Sequence, residues 1–314
     1  MKPVFRVRIP GPWTTVQDLG RFCYQHMGVP VSGALDSFAF NVANLLVANP
    51  GDAAVLEITF SGPELEVLSE ADIALTGAEM KILLNNDPLP MWRSIRVKPG
   101  DTLFIGSARQ GCRAYLAVTG GFDVPLVMGS RSTYVNGKLG GVEGRPLKTG
   151  DALPRGPGDL LRRPRRLPWI PRYADAVVLR AIPGPQDEHF RSGRDVFFSS
   201  EFTVSPQADR MGYRLQGSPM ERDPGAPASI VSEPSMPGNV QIPPDGQPIV
   251  LLVEQTLGGY AKIATVITVD IFRIAQAKPG DTVRFLSVSL EEAHNAFRQW
   301  KEFIKGVAAA LGSH

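Results

Sequence analysis

The chain repeats itself. FRVRIPGP at residues 5–12 returns as VLRAIPGP at 178–185. QDLGRFCYQHMG at 17–28 faces QADRMGYRLQG at 207–217, and Arg21, Tyr24 and Gly28 align with Arg210, Tyr213 and Gly217 without a gap. LEVLSEADIAL at 65–75 has a counterpart in VQIPPDGQPIVLL at 240–252, and KPGDT occurs at 98–102 and again at 278–282. Each match is weak alone, because IPGP and PGD are common turn chemistry. Four in the same order are much harder to ascribe to chance. They predict two similar halves, starting near Val4 and Val177 and spanning residues 1–160 and 175–314.

Short strands joined by turns suit this sequence best. It holds 32 glycines and 28 prolines, and proline is kept out of helix interiors and central strands. Segments 54–60, 72–77, 79–85, 101–106 and 113–120 are short, β-rich and bounded by turn residues, as are 176–182, 202–206, 248–253, 262–269 and 281–288. Their spacing suggests β-barrels rather than alternating βαβ units. One helix interrupts the first half. In DSFAFNVANLLVANP (36–50), Asp36 or Ser37 caps it, Phe38, Val42, Leu45 and Leu46 share a face, and Asn49-Pro50 ends it. A second closes the chain, opened by Ser289 and Glu292 at capping-box spacing, with Ala293, Phe297, Trp300 and Ile304 as its apolar stripe. The Pro- and Arg-rich stretch 154–173 reads as a covering connector.

Composition limits the function. Apolar residues make up 43%, enough for a large core, and the formal net charge is +2, which argues against a nucleic-acid surface. No apolar run reaches the length of a membrane helix, and the N-terminal residues lack a signal-peptide apolar region. Two cysteines, Cys23 and Cys112, fit a reducing cytoplasm. There is no P-loop: the glycines of GSRSTYVNGK (129–138) are wrongly spaced. The four histidines are scattered with no metal-ligand spacing, so no metal is expected. No biotin-acceptor motif is present.

Three polar loops remain. The first carries Gln17, Asp18 and Arg21, then Ser32, Gly33 and Asp36. Asp18 and Arg21 either pair to hold the loop or orient an amide or carboxylate substrate. Ser32-Gly33 before a helix start offers N–H groups to an anion, or merely belongs to the cap. The second is GSRST (129–133), where Ser130, Ser132 and Thr133 flank Arg131, a group suited to carboxylate or phosphate. The third is EQTLGGY (254–260), in which Gln255 follows an apolar strand and Gly258-Gly259 lets a ligand approach the backbone beside Tyr260.

At these residues a resemblance appears. TTVQDLGR, GVPVSGALD, LEITFSGP, LTGAEM, GGFDVPLVMGSRST, GPQDEHF, DRMGYRL and IPPDGQPIVLLVEQTLGGYAKIATVI follow one another in this order. Together they resemble the allophanate hydrolase subunit 2 family, also called the biotin-dependent carboxyltransferase or 5-oxoprolinase C-subunit family, from about Val4 to Leu286. The resemblance implies a mainly β fold of two tandem cyclophilin-like β-barrel halves with few helices, one of them C-terminal. It implies the C subunit of an ATP-dependent 5-oxoprolinase, opening 5-oxo-L-proline to L-glutamate with the A and B subunits, the latter allophanate hydrolase subunit 1-like. The alternatives are a carboxyltransferase module acting on urea or a related amide, and a non-catalytic antagonist of a histidine-kinase inhibitor. On the first reading Asp18, Arg21, Arg131 and Gln255 are the catalytic candidates. Ser32, Gly33, Asp36, Ser130, Ser132, Gly258, Gly259 and Tyr260 bind a small lactam or amide. ATP is bound unconventionally or by the partner subunits, with no covalent biotin on this chain. Exposed apolar residues near Trp13, Phe22 and Met27 are candidates for the contact with the B subunit. Where the family reads QTTGGYP this chain has QTLGGYA, so Leu257 and Ala261 replace a hydroxyl and a proline.

Overall fold

A computed structural model describes residues 3–312. The chain is mainly β, with 37% strand, 18% helix and four α-helices among the described residues. It divides into two compact units. One comprises Met1–Phe22, Ser32–Tyr173 and Ile304–His314; the other comprises Cys23–Val31 and Ala174–Phe303.

The first unit is a curled nine-stranded sheet built from β1 (Pro3–Ile9), β2 (Trp13–Gln17), β3 (Val55–Thr59), β4 (Glu64–Val67), β5 (Ala71–Leu84), β6 (Asp87–Leu89), β7 (Ser94–Val97), β8 (Thr102–Val118) and β9 (Ala152–Pro154). Its main order is β2-β3-β8-β4-β1-β9, with β5 pairing β6, β7 and β8. β5 and β8 correct an expectation. Each is a single long strand where the sequence suggests two short ones. The reason is the bulges: the β5–β8 register shifts between Gly77 and Ile82, so the pair bends there without ending. The length lets β8 pair β4 near its start and β3 near its end.

Helix α1 (Ser37–Leu46) packs on this sheet. Asp36 is its N-cap, and its Oδ1 accepts the Ala39 N–H at 2.9 Å. The connector after β9 is also part of this unit. Leu167 is buried, its N–H donates to the Trp92 carbonyl, and Trp169 stacks on Phe38.

The second unit holds β10 (Ala176–Pro183), α2 (Arg191–Ser199), β11 (Glu201–Ala208), β12 (Gly212–Gln216), β13 (Glu233–Pro234), β14 (Asn239–Gln241), β15 (Ile249–Leu251), β16 (Leu257–Gly258), β17 (Lys262–Val266), α3 (Ile271–Ala275) and β18 (Thr282–Ser287). Seven strands close a barrel in the order β10-β17-β14-β15-β12-β11-β18, and β13-β16 form a separate antiparallel pair. Phe197, Phe202 and Phe285 pack ring against ring. Tyr213, Val250 and Val240 are buried and form one rung across three strands, so their strand neighbours one residue on face outward.

The last helix, α4 (Leu290–Gly312), opens with the expected box: the Ser289 N–H donates to Glu292 Oε2 at 2.7 Å and the Glu292 N–H to Ser289 Oγ at 3.2 Å. The expected stripe needs correction. Phe297 is exposed and Ala293 and Trp300 are half-buried, whereas Ile304, Val307 and Leu311 pack with α1.

The repeated KPGD is one turn built three times, at 98–101, 278–281 and, with Thr in place of Pro, at 148–151. The Lys N–H donates to Asp Oδ2 at 2.7 Å (Lys98), 2.7 Å (Lys148) and 2.8 Å (Lys278). The Asp N–H donates back to the Lys carbonyl in all three. The third residue has φ of 93°, 92° and 94° at Gly100, Gly150 and Gly280, which is why it is glycine. Each turn caps a neighbouring strand, at Val67, Val7 and Val204 respectively. The strand orders around them differ: β10 runs parallel to β18, while β1 pairs only antiparallel strands. The pairing of 65–75 with 240–252 therefore does not carry over, because the turn that meets Val67 in β4 has its counterpart at Val204 in β11.

Candidate functional site

Asp18 organises the first polar loop. Its Oδ1 accepts the Gly20 N–H at 2.8 Å, the Ser130 hydroxyl at 2.6 Å and the Ser132 hydroxyl, and its Oδ2 accepts the Arg131 N–H at 2.6 Å. A carboxylate oxygen offers about two lone-pair sites, so Oδ1 is filled by its own chain, while Oδ2 holds a single donor. Ser130 and Ser132 are fully buried. GSRST is thus folded onto the loop after β2, and two of the sequence's three polar loops meet.

Arg21 lies beneath them, completely buried. Its Nε donates to the Val127 carbonyl at 3.0 Å and its Nη2 to the Ser132 carbonyl at 2.8 Å, while Nη1 has no hydrogen-bond partner. Burial pulls its guanidinium below the ordinary arginine value, and the Asp18 charge opposes that. Arg131 points the other way. Its Nη2 pairs with Asp123 at 2.8 Å and its side chain is 32% exposed. Gln17 ties in the next segment, its Oε1 accepting the Gly33 N–H at 3.1 Å. Ser32 is buried and its Oγ is unpartnered.

Asp36 belongs to a separate buried network. Its Oδ2 accepts the Tyr173 hydroxyl at 2.9 Å, and its N–H donates to the Tyr115 hydroxyl, which in turn donates to Glu57. Arg113 faces Glu57 at 3.8 Å. Burial first, then the nearby carboxylates, push both phenols well above the ordinary tyrosine value.

Gln255 and Tyr260 belong to the second unit, where they line a cleft of about 500 Å³ with Asp209, Arg214, Gln241 and Ile249. Gln255 Nε2 is held by the Leu257 carbonyl at 2.7 Å. Gly258 lies under Gln241: a Cβ there would fall 2.0 Å from Gln241 Nε2 and 2.9 Å from Ser235 Oγ. Gly259 has more room, with a Cβ no nearer than 3.3 Å to Ser232 Oγ. Below Gln255, Glu254 and Arg210 form a buried pair. Arg214 and Gln241 were missed by sequence reasoning. Their only local signal is a polar residue alternating with apolar ones along a strand.

Among the described residues, no group of three or more His, Cys, Asp or Glu side chains converges as a metal would need, and no helix is long and apolar enough to cross a membrane. Among the described residues Cys23 and Cys112 form no disulfide.

The chain thus joins a closed barrel and a curled sheet, with polar loops at their strand ends, an architecture shared with carboxyltransferase domains. The profile of the carboxyltransferase domain, subdomain A and B, matches residues 27–287, and the chain belongs to that family. It is 40% identical over 303 residues to the C subunit of 5-oxoprolinase from Escherichia coli, covering 96% of both chains. It is 36% identical to the corresponding 5-oxoprolinase chain of Haemophilus influenzae, covering 89% of each. The urea amidolyase of Kluyveromyces lactis has the same fold, with a TM-score of 0.89 and 32% identity over 98% of this chain. This chain spans 20% of that enzyme's length.

Proposed function

We propose that the chain is the C subunit of an ATP-dependent 5-oxoprolinase, opening 5-oxo-L-proline to L-glutamate with the A and B subunits. The observation that carries this reading is the 40% identity to the E. coli C subunit over 96% of both chains. A lactam carbonyl is unreactive, so opening it needs activation and a site that shields the activated intermediate from bulk water while admitting the one water that is consumed. Backbone donors of the loop that most resembles a phosphate cradle are engaged within the chain. The Arg131 and Ser132 N–H groups of GSRST already donate to Asp18 and Ser130. On this reading nucleotide is handled by the other subunits. Asp18 and Arg21 act by holding the GSRST loop of the first unit, and in the second unit Gln255 and Tyr260 hydrogen-bond the amide.

The test is reconstitution. The purified chain alone shows no 5-oxoproline-dependent ATP hydrolysis, and activity appears on mixing with the A and B subunits. No gain upon mixing ends the reading. A second reading, a carboxyltransferase module for urea or a related amide, is favoured by the fold shared with the K. lactis urea amidolyase. Carboxybiotin-dependent turnover of urea by the same mixture, without lactam opening, would select it.

A further inference from the structure

The barrel's outer wall carries a row of side chains that only strand register reveals. Ile249 on β15 is directly opposite Arg214 on β12 and Gln241 on β14. Directly opposed residues in antiparallel strands share a face. Arg214, Ile249 and Gln241 therefore form one rung across three strands, and all three line the cleft. Two strand spacings separate the cation from the amide at the backbone, roughly 10 Å.

Neither polar group is satisfied by the protein. Gln241 is 3% exposed, yet its Nε2 has no hydrogen-bond partner. Such a buried donor calls for an acceptor. Arg214 is exposed and forms no ion pair or side-chain hydrogen bond with any described residue. The one carboxylate among the described residues lining the cleft, Asp209, is turned to its own loop, its Oδ1 accepting the Met211 and Gly212 N–H groups. Gln255, anchored through Nε2, keeps its side-chain oxygen as an acceptor. Ile249 and Leu251 supply an apolar floor between these groups.

We infer that this cleft is a binding site for a small amide that carries a carboxylate, with Arg214 taking the carboxylate and Gln241 Nε2 donating to the amide carbonyl. Gln255 accepts from the amide N–H, and the carbon skeleton lies over Ile249. A neutral amide such as urea fills only the Gln241 half. The identification of 5-oxo-L-proline as the physiological member of this class rests on the proposed function; the carboxylated-amide specificity does not.

The experiment is calorimetric titration of the full chain with 5-oxo-L-proline, 2-pyrrolidinone (the same ring without its carboxylate), N-acetylglycine and urea. Wild type binds the two carboxylated amides roughly tenfold to hundredfold more tightly than pyrrolidinone or urea, the span expected of a charge-assisted hydrogen bond. Arg214→Gln abolishes that preference and leaves pyrrolidinone binding unchanged. Gln241→Met weakens all four ligands by a similar factor. Arg214 is on the surface, so its variant remains informative if Gln241→Met fails to fold. Undiminished 5-oxoproline affinity in Arg214→Gln overturns the proposal, as does failure of every carboxylated amide to bind while the reconstituted enzyme still opens the lactam. Arg214-dependent binding of N-acetylglycine without binding of 5-oxoproline upholds the site and instead removes the 5-oxoprolinase reading.

Discussion

The Ser132 hydroxyl donates to the carboxylate of Asp18 and accepts from the backbone N–H of the same residue. One side chain thus closes both ends of a residue 114 positions away in the chain. That reciprocity makes Asp18 the keystone of two loops rather than an exposed acid.

Removing it should be felt as stability. Asp18→Ala leaves two buried hydroxyls and two N–H groups without their acceptor above a buried Arg21. The expected loss is about 3–5 kcal/mol, against about 1–3 kcal/mol for Ser132→Ala. Equilibrium urea unfolding measures both. A variant as stable as wild type would refute the keystone role.

Alkaline pH should unfold the first unit through its tyrosines. The phenols of Tyr115 and Tyr173 are raised above the usual 10.0 when folded. A raised value means the folded chain holds its proton more tightly than the unfolded chain. Their contribution is complete below about pH 10 and drains away as pH rises toward the folded values, by up to about 1.4 kcal/mol per pH unit for each group. Tyr115→Phe and Tyr173→Phe should each flatten the alkaline limb of a stability–pH curve. An unaltered slope in the double variant would exclude this origin.

The three KPGD-type turns should respond alike to one substitution. Nothing lies within 4 Å of a Cβ at Gly100, Gly150 or Gly280, so alanine meets only the backbone cost of positive φ. Thermal unfolding should report about 1–2 kcal/mol for each variant. A large difference among them would mean the turns are not equivalent.

Gly258→Ala separates binding from folding. The added methyl meets Gln241 Nε2 and Ser235 Oγ, both at side-chain ends. The amide is displaced at an overpacking cost of about 1–3 kcal/mol, which leaves the barrel folded. Titration with 5-oxo-L-proline should show a loss matching that of Gln241→Met. Full retention of affinity would detach Gln241 from the ligand.

Much of this architecture is local and readable as sequence. Asp36 caps α1 and Ser289 pairs with Glu292 because a cap needs only residues three apart. The KPGD turns are legible for the same reason. The third is hidden from a motif search because Thr149 stands where the others have proline.

What the tertiary structure alone decided is which distant groups meet. Asp18 and Arg21 read equally well as substrate ligands or as a loop clamp, until Ser130, Ser132 and the Arg131 N–H arrive from more than a hundred residues away. β5 and β8 read as four strands because turn-forming residues end a strand locally, yet a bulge absorbs them when a partner strand continues. Arg214 and Gln241 share no motif. Strand register set them on one rung, and a slip of one residue would have turned either side chain into the barrel core. Hydrogen-bond reach along the chain is a few residues, so caps and turns are written locally. Pairing across the sheet has no such limit, and there only the fold chooses.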